Sequence, residues 1–409
     1  MKRISRLLSC FIAALALPAF ALGPACPENR RPDAPPLADA GPSAVGVQDF
    51  RLPAGGNGRE LDLSLWYPAE GDSGEAVTYR DALGSGPNDP ERPVVPFDFC
   101  GHSRMQARPA TVTNPLPVVL ISHGYPGSRV LMAWLAEHLA SHGFAAIGID
   151  HSGALHSDRG EFADVLINKP TDIRAVIDAI QSGTVGIDEL DLNADRIGLV
   201  GYSMGGYAGL VKAGAGLHPR LTELPPLAGV DLTPLLAPKH EADPRIAALV
   251  AIAPWGGPEA LERVGLNGLS LWPAEALGEI NVPLLLISGD ADLVSGYERG
   301  ARWIFEHGRQ PRWLLTYHQA RHNVAPMPPP PISRDSLREF QHYAEPIWDI
   351  ERLNDLNRHF VLAFFKSQLQ LWPDAGDWLS PHRNGAEPPK GFTEHSAIGF
   401  SLEKRGAQQ

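Results

Sequence analysis

Six short apolar runs, at residues 117–122, 144–149, 196–202, 246–253, 283–288 and 313–317, each have the length of one strand and few polar side chains. A strand with no polar face must be covered on both sides, which is the pattern of a parallel sheet between helices. Helical stretches lie among them. Leu131, Leu135 and Leu139 recur at every fourth residue before Gly143, and Ile173, Ile177 and Ile180 line one side of residues 171–180. A small-residue helix is expected over 204–213 and a last one over 348–369. Strands alternating with helices predict an α/β fold, a mostly parallel central sheet with helices on both faces. One more strand, half-buried, is expected at 59–66, where Leu61, Leu63 and Leu65 alternate with polar residues, whereas 68–116 reads as long loops because turn formers dominate it.

Ligands of such sheets gather at the carboxyl ends of the strands, so the polar residues just past each run are the candidates for chemistry. Past 196–202 stands Gly201-Tyr202-Ser203-Met204-Gly205, a G-x-S-x-G pattern at a strand-to-helix junction. Small residues two positions either side let a serine sit on a strained turn with its hydroxyl lifted clear of the sheet. Ser203 is the candidate nucleophile. It needs a base to take its proton, and the base needs a third group to orient it. The run at 283–288 ends in Asp290 and Asp292, and the run at 313–317 is followed by His318 and His322. The residues alone leave both choices open, but they give the chain order Ser, Asp, His. A tetrahedral intermediate also needs donors for its oxyanion. The Met204 N–H is one, and the Tyr125 N–H, in the loop His123-Gly124-Tyr125-Pro126-Gly127, is the other. His123 reads as a structural residue under that loop, and Trp255, just past 246–253, as a wall of the substrate pocket.

Composition narrows the partners. Lys+Arg 35 against Asp+Glu 47 gives a net charge of −12, which argues against nucleic acid and anionic membranes. No apolar run reaches the ~18 residues of a spanning helix, so no stable membrane insertion is expected. Lys2, Arg3 and Arg6, the apolar stretch at 7–17 and Ala19-Phe20-Ala21 read as a signal peptide over 1–21 and predict a periplasmic or secreted protein. Cys10 would leave with it, and Cys26 and Cys100 are then expected to form a disulfide. A Pro-rich linker is expected over 22–44, the catalytic domain over 45–370 with 214–245 as a candidate cap, and a C-terminal extension over 371–409. No phosphate loop or dinucleotide fingerprint stands out, so no cofactor is expected. His151, His156 and Asp158 lack metal-ligand spacing, so no metal is expected either.

These stations resemble an α/β-hydrolase, and in detail the secreted bacterial serine esterases related to platelet-activating-factor acetylhydrolase and to predicted dienelactone hydrolases. The matching pieces are Leu65-Trp66-Tyr67-Pro68, Ser122-His123-Gly124, Leu139-Ala-Ser-His-Gly143, Asp150-His151-Ser152-Gly153, Pro170-Thr-Asp-Ile173, Gly201-Tyr-Ser-Met-Gly-Gly206, Ser288-Gly-Asp-Ala-Asp292, His322 and His342-Tyr-Ala-Glu-Pro346. The elbow with a tyrosine in the oxyanion loop is also similar to cutinase-like polyester hydrolases. The resemblance implies hydrolysis of carboxylic esters, of small molecules or lipids, by a monomer, and it selects Asp292 and His322 as the partners of Ser203. A serine stands where true dienelactone hydrolases carry a cysteine. A lipase or phospholipase A2-type enzyme and a polyester hydrolase are the alternatives. A peptidase or a non-catalytic binding protein ranks behind them, since no β-propeller segment is recognisable and all three triad residue types are present.

Overall fold

The computed structural model describes residues 31–407, apart from 54–57, 72, 85–88, 228 and 371. The expected signal peptide and Cys26 lie outside the described residues. The strands are β1 (Ala44–Leu52), β2 (Leu61–Ala69), β3 (Glu75–Leu83), β4 (Val95–Met105), β5 (Leu116–Ser122), β6 (Ala145–Ile149), β7 (Leu192–Tyr202), β8 (Ile246–Ile252), β9 (Leu284–Gly289), β10 (Arg312–Tyr317) and β11 (Phe400–Arg405). The helices are α1 (Ala133–Ser141), α2 (Phe162–Gln181), α3 (Met204–Lys212), α4 (Pro258–Arg263), α5 (Ala274–Leu277), α6 (Arg302–His307), α7 (Leu337–Phe340) and α8 (Ile350–Gln368).

All described strands join one sheet in the order β11-β10-β9-β8-β7-β5-β6-β2-β1-β4-β3. From β6 to β10 every pairing is parallel. Antiparallel partners close both flanks, β2 on β6 and β11 on β10. The double-faced burial expected of the six apolar runs is visible in their alternation. Val118, Leu120, Leu199, Leu249 and Leu286 face the core under α2 and α3, whereas Val119, Ile121, Val200, Val250 and Ile287 face the core shared with α1 and α8. This is the α/β-hydrolase architecture, and it places the carboxyl ends of β5, β7, β8, β9 and β10 along one edge.

Two expectations are corrected. Residues 68–116 are not loop throughout: they hold β3 and β4, two long antiparallel strands. Their alternation is real, with Val77, Tyr79, Asp81 and Leu83 inward on β3, but a charged residue takes one inward position and obscures the apolar period. The helix expected at 171–180 begins at Phe162 and runs through Pro170. A proline inside a helix lacks the N–H that would bond the carbonyl four residues back. Here that carbonyl, Leu166, receives the Tyr207 hydroxyl from α3 at 2.8 Å, so the helix continues without an orphaned buried acceptor.

The ends of the described chain are also packed. Leu37 donates its N–H to the His359 ring on α8, and Gly41 to the Ser141 hydroxyl on α1 (2.8 Å). Past residue 371 the chain supplies β11, the outermost strand on that side. Residues 214–245 fold as short turns tied to the last turn of α3 through His240 Nε2–Val211 O and Asp243 N–Lys212 O, with Leu217, Leu221 and Leu232 buried. Among the described residues, no helix is long and apolar enough to cross a membrane.

Candidate active site

Ser203 follows β7 directly and caps α3 at φ 53° and ψ −113°. That backbone is strained for a residue with a side chain, and the close packing around it explains the two glycines. A Cβ on Gly201 would meet the Gly205 carbonyl oxygen at 2.2 Å, and one on Gly205 would meet the Ser122 carbonyl oxygen at 1.9 Å. The turn is pinned by Ser203 N–H to Ile252 O (2.9 Å) and by Trp255 N–H to Ser203 O (3.1 Å).

The Ser203 hydroxyl lies 3.1 Å from His322 Nε2, and His322 Nδ1 lies 2.9 Å from Asp292 Oδ2. With Nδ1–H given to the carboxylate, Nε2 is the acceptor that faces the serine. Asp292 is buried, and its other oxygen accepts the backbone N–H groups of Val294 (2.7 Å) and Ser295 (2.9 Å). Burial alone would push its carboxyl up; His322 and the two backbone donors outweigh that and hold it below the ordinary value. The side chain is therefore an anion at neutral pH. The three groups form a chain along which a proton can pass from hydroxyl to imidazole while the carboxylate holds the ring.

The competing pair goes elsewhere. Asp290 Oδ2 bonds His318 Nδ1 (2.9 Å), and its other oxygen caps the Gln319 N–H (2.5 Å), where the backbone turns at φ 62°. Asp290 and His318 stabilise that turn, and each side chain is about one third exposed (31% and 33%).

The loop after β5 runs beside the serine: a Cβ on Gly124 would stand 3.3 Å from Ser203 Cβ. Tyr125 belongs to this loop, and Met204 opens α3, where the first N–H groups have no helical acceptor. Both expected oxyanion donors thus belong to segments adjoining Ser203. Beneath the loop, His123 is buried, with Nδ1–H donating to Gly124 O (2.8 Å) and Nε2 accepting the His151 N–H (3.3 Å). Burial depresses both imidazoles well below their ordinary value. The buried Lys169 amine donates to the His123 carbonyl at 2.7 Å.

His151, His156 and Asp158 turn to different partners. His151 joins Ser122 Oγ (2.8 Å) to Asp172 (3.1 Å), with Arg59 closing the line at 2.6 Å. His156 donates to Gly84 O, and Asp158 accepts the Gly153 N–H. Among the described residues, no group of three His, Cys, Asp or Glu is placed to hold a metal ion.

Trp255 forms part of an aromatic wall. Its ring meets Phe162 edge-on at 5.2 Å, and Phe162 meets Tyr125 at 6.3 Å. The Tyr125 hydroxyl donates to Gly160 O, and Arg159 lies over its ring at 5.1 Å. Phe162 is among the few large apolar side chains left exposed; Leu293 and Val294, next to Asp292, are others. Phe162 escaped sequence reading because the start of α2 did. Cys100 is an exposed residue of β4, and its expected partner lies outside the described residues.

The family model for the alpha/beta hydrolase fold matches residues 117–214, from β5 through α3. A solved structure, a ferulic acid esterase from Streptomyces cinnamoneus, superposes with a TM-score of 0.53 at 22% identity, covering 81% of this chain and 92% of that one. The protein is thus an α/β hydrolase by fold. Cutinase 2 of Thermobifida cellulosilytica is 29% identical over 137 residues, which is 34% of this chain and 47% of the relative. Cutinase est2 of Thermobifida alba is 31% identical over 93 residues, 23% of this chain and 28% of the relative. The chain therefore spans about half the length, or less, of these curated relatives.

Proposed function

We propose that this protein is an exported serine esterase that cleaves carboxylic esters through an acyl-enzyme. Ser203 attacks the ester carbonyl while His322 Nε2 takes its proton, and Asp292 stabilises the imidazolium that results. The Tyr125 and Met204 N–H groups carry the oxyanion. His322 then gives the proton to the departing alcohol, and water activated by the same ring releases the acyl group. The observation that carries the reading is the hydrogen-bonded line Ser203–His322–Asp292, with spacings of 3.1 Å and 2.9 Å.

The Tyr125–Phe162–Trp255 wall beside Ser203 favours esters with an apolar or aromatic portion. A polyester substrate is the second reading. It is favoured by the exposed Phe162, Leu293 and Val294, which a flat apolar polymer surface could cover, and by the likeness to proteins named cutinases. Export goes with the basic and apolar residues 1–21 and with a Cys26–Cys100 disulfide. The test is a panel of soluble esters of rising acyl length, with an amide analogue and a polyester film. Ester cleavage that is lost in S203A and raised in KM by F162A is expected. Cleavage of the amide in preference to every ester, or full ester activity in S203A, would overturn the proposal.

A further inference from the structure

After His322 the chain makes a long proline-rich excursion that brings Glu345 back beside the base. The Glu345 carboxylate is buried, and both of its oxygens are engaged. Oε2 accepts the Arg321 N–H at 2.5 Å, and Oε1 accepts the Asn323 N–H at 2.7 Å. One side chain, 22 residues beyond Asn323, thus grips the backbone on both sides of His322. Two further bonds hold the same stretch: the Tyr202 hydroxyl to His322 O (3.3 Å) and Asn357 Nδ2 to Val324 O (2.7 Å). Closing a loop needs only acceptors, and a neutral amide or hydroxyl supplies those without the desolvation cost of a buried anion. Burial, with the Asp292 charge adding to it, holds the Glu345 carboxyl above its ordinary value, and the two N–H donors and His322 offset only part of that. A charge kept there acts on the His322 imidazole as well as on Asp292.

We propose that Glu345 is a positioning residue for His322: its carboxylate fixes the backbone on either side of the ring, and its charge favours the imidazolium formed when Ser203 gives up its proton. This rests on the reading of Ser203 and His322 as nucleophile and base. It also gives the excursion a purpose, since residues 323–345 become the strap that returns the anion to the ring. The groups facing His322 are Asp292 from the loop after β9, Ser203 and the Tyr202 ring (5.4 Å) from β7 and its turn, and Glu345 with half-buried His342 from the excursion. His342 is neutral at working pH, its value lowered to about 3 by burial, so the anions around the ring are Asp292 and Glu345.

The test compares E345Q, which keeps the shape and one acceptor but not the charge, with E345A, which keeps neither. Steady-state rates on a soluble ester are measured across pH and divided by the fraction of Ser203 that takes a fluorophosphonate. E345Q is expected to lower kcat about tenfold with KM within about twofold, and E345A to lower it further. In both, the acid limb of the kcat profile moves to lower pH, because an imidazolium that has lost an anionic neighbour releases its proton more readily. Unchanged kcat per labelled site with an unmoved limb, even with lower thermal stability, would reduce Glu345 to loop closure and overturn the proposal. A wild-type protein whose Ser203 takes no label would instead remove the reading beneath it.

Discussion

The Tyr207 hydroxyl, one turn beyond Ser203 on α3, donates at 2.8 Å to the Leu166 carbonyl that Pro170 leaves without its helical donor. The bond joins the helix that Ser203 caps to α2, whose Lys169 supports the loop after β5 through His123 O. A break that sequence logic places at Pro170 is thereby repaired from another element.

Replacing Tyr207 with phenylalanine therefore strands a buried acceptor. Y207F is expected to lower unfolding free energy by about 1–3 kcal/mol, and P170A, which restores a backbone donor, should shrink that loss. Urea unfolding of the two single variants and the double variant measures the coupling. An equal Tyr207 effect in both backgrounds would contradict it.

The two aspartates after β9 separate by partner. D292N is expected to lower kcat by about 10⁴-fold, because an amide no longer holds the His322 tautomer or balances its charge. D290N and H318A disturb the exposed turn at Gln319 and should leave kcat within about twofold. Kinetics of the three purified variants decide this, and a large loss in D290N with D292N spared would reverse the assignment.

Asp81 gives the fold a pH dependence of known sign. Burial, with Asp150 adding to it, pushes its carboxyl up to about 7, against Ala82 N–H and Arg129. A carboxyl raised on folding binds its proton more tightly in the native state, so its stabilising contribution is present at low pH and fades as pH rises through about 7. The isosteric neutral variant D81N escapes that loss. Relative to wild type, D81N should gain about 1–3 kcal/mol between pH 5 and pH 8; chemical denaturation at both values checks it, and a constant difference would refute it.

How far the chain could be read follows from where its signals are local. The six buried runs announce themselves because few polar side chains interrupt them, and the elbow does so because Gly201 and Gly205 are sterically obligatory. β3 and β4 are hidden by inward Asp81 and Ser103: Asp81 caps the N–H of the next residue, Ala82, and Ser103 bonds Tyr79 on β3 and Glu137 on α1. Asp290 and Asp292 differ by only two positions, so only resemblance chose between them before the geometry did. Glu345 belongs to a segment that carries the family resemblance, yet its contacts with the two N–H groups beside His322 depend on a 22-residue return that no local pattern announces.

The line from Ser203 to Asp292 can be tested most directly by reacting the folded protein with a fluorophosphonate and mapping the adduct by peptide mass spectrometry. The account predicts one modified residue, Ser203, with labelling sharply slowed in H322A, which lacks the group that activates the hydroxyl. Modification at another serine, or equally fast labelling of Ser203 without His322, would contradict it.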